Sequence, residues 1–358
     1  MDNRKYQHLV KPLSIAAMPG AEKFFRNTGN ADINLWLNGR DHLEGLALNF
    51  SWGFYTGLGD WHPGMDPHVH PYPEALVFVG LDPDNLEYLG AEMQYCLGKE
   101  LEVHNFNKPS VIIAPAGFPH CPSITKEVTN PIGYSFFIIS LGAEPRTTWM
   151  GDGISKEKEE QMSGAGDSDR KPPMVSTFSK KKINFSKENL TYGDKYTHLI
   201  KPLALLHDAG ENMSPEEKAK YEEDLSKGNI MSPGPGSADK IFWMNGTDLE
   251  GMEMNFTWEF HKKPGIWHRG PGKSDGAHVH PHDEVLVFAG TDPRDINYLG
   301  AEISIDMGKE GERYVFDRPT AVVCPAGTPH APIITRYVDR PFAFFNISLA
   351  GEYKITYV

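Results

Sequence analysis

Four residues of the first half, His68, His70, Glu74 and His120, have the types and spacing of a metal-binding set. His68 and His70 are two apart, so on a strand both side chains point to one face. Glu74 follows beyond Pro71 and Pro73, where a bend can return a carboxylate to the same centre. His120 comes 52 residues after His68, in Pro115-Ala116-Gly117-Phe118-Pro119-His120, a tight turn opening a new strand. The second half repeats the set as His278, His280, Glu284 and His330, again with 52 residues from first to last. A lone His-x-His is more often incidental, but the whole pattern at unchanged spacing in both halves is not. Three imidazoles and one carboxylate suit a divalent transition metal, iron or manganese first, with nickel, cobalt or zinc also open. The expectation is two ions per chain, each with two coordination positions left for substrate, water or dioxygen if it is six-coordinate.

Around these sets stand candidate acid and base residues. Trp61-His62 and Trp267-His268 precede the first ligands, placing a tryptophan at a pocket mouth and a histidine as acid, base or substrate donor. A structural corner repeated with the fold explains the same pairs equally well. Glu92 and Glu302 follow Leu-Gly-Ala on expected strands and are candidate general bases if they face the metal, although an outward Glu is commoner. Trp52 and Trp258 read as core. His8 and His198 lie in KYQHLVKPL and KYTHLIKPL, segments outside the expected barrels, and read as packing or domain exchange. The stretch before His278 is four residues longer than that before His68 and carries Arg269 and Lys273. Two cations near a metal mouth favour the second half as the catalytic one for an anionic substrate.

The elements that must position these residues come from an internal duplication. PHVHPYPEALVFVG at 67–80 returns as AHVHPHDEVLVFAG at 277–290, and APAGFPHCP at 114–122 as CPAGTPHAP at 324–332, at an offset of 210. ALVFVG, SVIIAP and YSFFIISLG, with their partners VLVFAG, TAVVCP and FAFFNISLA, are short β-branched or aromatic runs bounded by Gly, Pro, Asp and Asn. They predict an all-β chain of two barrels with a few short helices. The domains are expected at 1–150, with an N-terminal extension, and at 191–358. Residues 151–190 would link them, with 151–173 the most mobile part. Ser214, Pro215, Glu217 and Gly228 spell a helical insertion at 214–228.

Composition narrows the function. The 358 residues include 35 Lys+Arg against 48 Asp+Glu, a net charge of −13 that offers no footprint for nucleic acid or an anionic membrane. There is no apolar run long enough to cross a bilayer and no signal-peptide pattern. Cys96, Cys121 and Cys324 share no metal-type spacing and read as reduced thiols, so the expected compartment is the cytoplasm. No Walker loop, Rossmann fingerprint, HExxH or nucleophile elbow is present.

The chain resembles the cupin superfamily, specifically a bicupin of two jelly-roll β-barrels. The cupin pattern has a motif ending H-x-H-x(3,4)-E-x6-G and a second motif P-x-G-x2-H. His68, His70, Glu74 and Gly80 match the first, one residue short in the last gap, and Pro115, Gly117 and His120 match the second. His278, His280, Glu284, Gly290, Pro325, Gly327 and His330 do so in the other half. The resemblance implies metal binding in both barrels, roughly 30–145 and 238–355, and leaves the reaction open. Neither half shows the wider pattern of an oxalate decarboxylase. The leading expectation is a non-haem Fe or Mn dioxygenase of a small phenolic, enolic or dicarbonyl compound. The alternatives are a redox-neutral isomerase or decarboxylase of a small organic acid, or a non-catalytic binding or storage bicupin. Relatives often exchange N-terminal strands, so a homodimer or higher homo-oligomer is expected.

Overall fold

The computed structural model describes residues 4–13, 29, 31–64, 66–162, 175–206, 214–227 and 232–358. It consists of two compact units: Met1–Ser14 with Leu203–Val358, and Ile15–Pro202. Each unit is a pair of antiparallel sheets facing one another across a buried interior, the jelly-roll arrangement expected. In the Ile15–Pro202 unit one sheet runs Ile200–Pro202, Ser110–Ala114, Glu74–Val79, Tyr134–Ser140, Asn49–Tyr55, Ile33–Asn38. The facing sheet is built around His68–Val69, His120–Val128 and Ala91–Leu97, with Arg146–Gly151 beyond. The other unit repeats this order with Val10–Pro12, Thr320–Cys324, Glu284–Gly290, Phe342–Ser348, Asn255–His261 and Ile241–Met244. Glu74–Val79 and Glu284–Gly290 are buried along their whole length. Such continuous apolar runs fit strands covered on both faces. Trp52 and Trp258 are fully buried and anchor the two cores.

The segments expected outside the barrels are edge strands of them, each in the barrel of the other half. Val10 of the first repeat pairs with Val322, and Ile200 of the second pairs with Ile112. The expected exchange is therefore made within one chain, and these segments give no argument for a neighbouring chain. Tyr196 seats the exchange by donating its hydroxyl to Glu100 at 2.9 Å, and Tyr6 mirrors it on Glu310 at 3.1 Å. Each ring lies against a glycine in the left-handed region, Gly98 at φ +73° and Gly308 at φ +74°. A Cβ on Gly98 would meet the Tyr196 ring at 2.4 Å.

The stretch expected to be a bare linker is partly structured. Ile154 is buried, Lys156–Met162 is helical, and Val175–Ile183 pairs in parallel with Arg146–Gly151. Residues 163–174 lie outside the described residues. The insertion is a helix over Pro215–Lys227, while Gly228 lies outside them too. All three cysteines are unpaired and buried. Among the described residues no helix is long and apolar enough to cross a membrane.

Candidate metal centres

Strand register brings the histidines together. His68 stands opposite His120 across one ladder and opposite Trp149 across the next. The turn carrying His120 is pinned by the Gly117 N–H, which donates to the His70 carbonyl at 2.7 Å. The second unit does the same: His278 faces His330, and the Gly327 N–H donates to His280 at 2.8 Å. Glu74 and Glu284 open their strands on the same side, each with one carboxylate oxygen accepting from a buried serine hydroxyl, Ser140 or Ser348.

The hydrogen bonds orient all six rings alike. His70 Nδ1 donates to the Arg146 carbonyl at 2.7 Å and His120 Nδ1 to Phe118 at 3.0 Å. His278, His280 and His330 use the carbonyls of Gly276, Lys354 and Thr328 at 2.6, 2.6 and 3.1 Å. A carbonyl can only accept, so Nδ1 carries the proton and the Nε2 lone pair is left for another partner. His68 is the exception in kind, with Nδ1 held at 2.9 Å by the Asp66 carboxylate. In the first unit His70 and His120 Nε2 lie 3.2 and 3.6 Å from Glu74 Oε2. In the second, His280 and His330 Nε2 lie 3.5 and 3.2 Å from Glu284 Oε2. His120 Nε2, His280 Nε2 and Glu284 Oε2 are buried and make no hydrogen bond. Burial pushes His68 down to about 4 and His278 to about 3, so both imidazoles are neutral at pH 7. Buried, convergent imidazole nitrogens beside a carboxylate are what a transition metal requires.

The remaining sequence candidates separate. His62 borders the first cavity with Nδ1 3.0 Å from Asp66 Oδ2, and His268 borders the second. Trp61 and Trp267 also line these cavities, their Nε1 donating to Thr125 and Thr335. Glu92 and Glu302 do not reach the interior. They are 42% and 43% exposed and pair with Lys126 and Arg336 at 3.1 and 3.0 Å. Their expected role as bases is withdrawn, because strand alternation turns them outward. Arg269 is exposed and borders neither cavity, and the Lys273 side chain lies outside what is described. The cysteines, read from the sequence as reduced thiols without metal-type spacing, approach the clusters: Cys121 lies beside His68 and His120, and Cys324 beside Glu284 and His330. Sequence reasoning also passed over Trp149, whose ring centre is 4.7 Å from that of His68.

The two centres open differently. The first lies at one end of a cavity walled by Trp36, Tyr55, Trp61, Leu76, Phe136 and Trp149. The second borders a cavity too, lined by His278 and His330, but neither His280 nor Glu284 reaches it. Tyr353, its ring centre 4.9 Å from that of His280, stands there instead. Neither cavity has a lysine or arginine among its described lining residues.

No family model and no curated protein matches the chain. Solved structures do. The chain is similar to oxalate decarboxylase of Bacillus subtilis in a serine-to-alanine variant, at 11% identity and a TM-score of 0.52. That match covers 92% of this chain and 76% of the other. The same enzyme at pH 4.6 matches at 11% identity and a TM-score of 0.51, covering 94% and 77%. An arginine-to-alanine variant gives 12% and 0.50, covering 94% and 78%. The chain has the bicupin fold. At this identity the likeness establishes architecture, and the chemistry of this bicupin has to be argued from its own residues.

Proposed function

We propose that this bicupin is a metal-dependent enzyme with one divalent transition metal in each barrel. The ligands are His68, His70, Glu74 and His120 in the first, and His278, His280, Glu284 and His330 in the second. The first centre is the catalytic one, reversing the preference that Arg269 and Lys273 suggested. Its reaction is a non-haem iron or manganese dioxygenation of a small phenolic, enolic or dicarbonyl compound. The observation that carries this reading is the aromatic-walled cavity over the first cluster, with no lysine or arginine in its described lining. A dianionic substrate would be left short of partners there, whereas a neutral or singly ionised phenol or enol is not.

The metal supplies Lewis-acid polarisation and a meeting point for substrate and dioxygen. The chain does the rest. Ser140 fixes Glu74, backbone carbonyls and Asp66 fix the imidazoles, and the aromatic walls exclude water. His62 exchanges a proton with the bound substrate. Burial alone would lower its pKa, but the Asp66 charge outweighs that and raises it. The buried free thiols are in keeping with a cytoplasmic enzyme.

Oxygen uptake on a panel of catechols, enols and diketones tests the reading. One dioxygen consumed per substrate, abolished in Glu74→Ala, is expected; carbon dioxide release from oxalate or a keto acid without net oxygen uptake would replace it. That second reading, a redox-neutral decarboxylase, is favoured by the oxalate decarboxylases among the structural neighbours.

A further inference from the structure

The cavity of the first barrel is lined by more of the deeper strand positions than that of the second, and the ladder register shows which. Glu74 stands opposite Ser140. Two residues inward along the strands, Leu76, Ile138, Ser51 and Trp36 form the next rank across one sheet. Two further in, Phe78, Phe136, Gly53 and Asn34 form a third. Residues two apart share a face of the sheet. The cavity is bordered by members of all three ranks, from Glu74 and Ser140 to Phe136 and Asn34. It therefore descends from the metal cluster into the barrel.

The same ranks in the second barrel are Leu286, Asn346, Thr257, Trp243 and then Phe288, Phe344, Glu259, Ile241. Only Leu286 and Phe344 of these border its cavity. Glu259, in the place of Gly53, is 4% exposed and holds His261 Nε2 at 3.2 Å. Ile241 stands in the place of Asn34.

Besides His120 Nε2 in the cluster itself, three polar atoms of the first cavity's lining are buried without a hydrogen bond: Asn34 Oδ1, Trp36 Nε1 and Trp149 Nε1. Each such atom is costly to bury unless something binds it. Asn34 and Trp36 are two apart on one strand and offer an acceptor and a donor to the same space.

We infer that Asn34 and Trp36 determine specificity in the first barrel, selecting a planar aromatic of at least two rings with oxygen substituents at both ends. One end sits at the cluster. The aromatic body lies among Leu76, Phe136 and Ile138, and the distal hydroxyl donates to Asn34 Oδ1 while accepting from Trp36 Nε1. Length follows from the register: two ranks inward is roughly 13 Å along the strands, beyond the reach of one ring or of a small dicarboxylate. This inference rests on the first cluster being the active centre, and it names the substrate class of that site.

The test is binding of 2,6-dihydroxynaphthalene, 2-naphthol and oxalate, followed by tryptophan fluorescence in metal-loaded and chelated full-length protein. The dihydroxy compound is expected to bind about fivefold or more tighter than 2-naphthol, the worth of one or two hydrogen bonds. Asn34→Leu and Trp36→Phe should erase that preference while 2-naphthol affinity and metal content stay unchanged. Gly53→Glu, which imports the residue of the second barrel, should abolish binding of both naphthols and keep both metals. Equal affinity for the two naphthols in the native protein, or a preference that survives Asn34→Leu, would overturn the inference, as would displacement of the naphthols by oxalate. The chelated arm reads the cavity alone. Lost turnover or lost metal with preserved discrimination would count against the enzymatic reading and leave the pocket assignment standing.

Discussion

Asp66 holds His68 through a 2.9 Å contact between its Oδ1 and the ring Nδ1, deep in the first barrel where Asp66 is only 3% exposed. At the matching place in the second barrel, His278 Nδ1 donates to a backbone carbonyl. A carboxylate behind a ligand histidine fixes the ring and makes it a stronger donor, and its loss typically costs 10–100-fold in metal affinity. Asp66→Ala is therefore expected to weaken the first site by about that factor and leave the second unchanged. Chelator competition resolving two sites reads this directly; equal affinities in the variant would count against a special role for Asp66.

The convergence of the two His/Glu clusters was legible because spacing alone carries it. His68 and His70 share a strand face whatever the rest of the chain does, and the second copy removes chance. Asp66 was within reach of the same logic, standing two residues before His68. Glu92 was misread although Ala91, Met93 and Tyr95 alternate with it and are buried. Period-two reading, applied strictly, puts Glu92 outside. The exchange of Val10–Pro12 and Ile200–Pro202 was not legible, since a three-residue edge strand says nothing of which sheet it joins. The contrast between Gly53 and Glu259 was visible as letters, but without the ladder register nothing placed either inside a barrel.

Glu74→Ala and Glu284→Ala are each expected to bind one metal ion per chain where the native protein binds two. Added metal should raise the melting temperature of the native chain, because an ion at 100 times its Kd stabilises by about 2.7 kcal/mol. Elemental analysis giving a single ion in the native protein would refute the two-site assignment.

Gly98→Ala tests the seat of the exchanged strand. At φ +73° an alanine costs about 1–2 kcal/mol, and its Cβ must also displace the Tyr196 ring. Gly45, at φ +85° with nothing near its missing Cβ, is the control. Denaturant unfolding should show a greater loss for Gly98→Ala than for Gly45→Ala. Equal losses would mean the ring contact contributes nothing.

Asp60 supplies a pH dependence. Burial, reinforced by the charge of Asp66, pushes its pKa up to about 6 from an ordinary 3.8. A carboxyl with a raised folded pKa resists ionisation, so folding loses stability as pH rises from about 4 to about 6 and none below. Asp60→Asn keeps an oxygen for the His62 N–H, which it accepts at 3.0 Å, and removes the charge. The variant should be more stable than the native protein at pH 7 by about 1–2 kcal/mol after allowance for partial exposure, and equal to it at pH 4. A variant less stable at both pH values would show that the hydrogen bond, not the charge, dominates.

The two barrels should contribute unequally to turnover. The second cluster is the better shielded: Tyr353 packs on His280, while a buried Glu259 stands in the place of Gly53 and holds His261. A metal at the second centre would then face a cavity reached through His278 and His330 alone, with fewer of the deeper strand positions that line the first, and is expected chiefly to hold the barrel together. Glu74→Ala should lower kcat by orders of magnitude with little change in melting temperature beyond the loss of its own ion. Glu284→Ala should lose an ion and stability yet keep most of its kcat when assayed below its melting point. The decisive quantity is kcat per ion remaining, measured on both variants with the same substrate. If Glu284→Ala suffers the greater loss at equal metal depletion, catalysis belongs to the second barrel and the open first cavity serves only to bind.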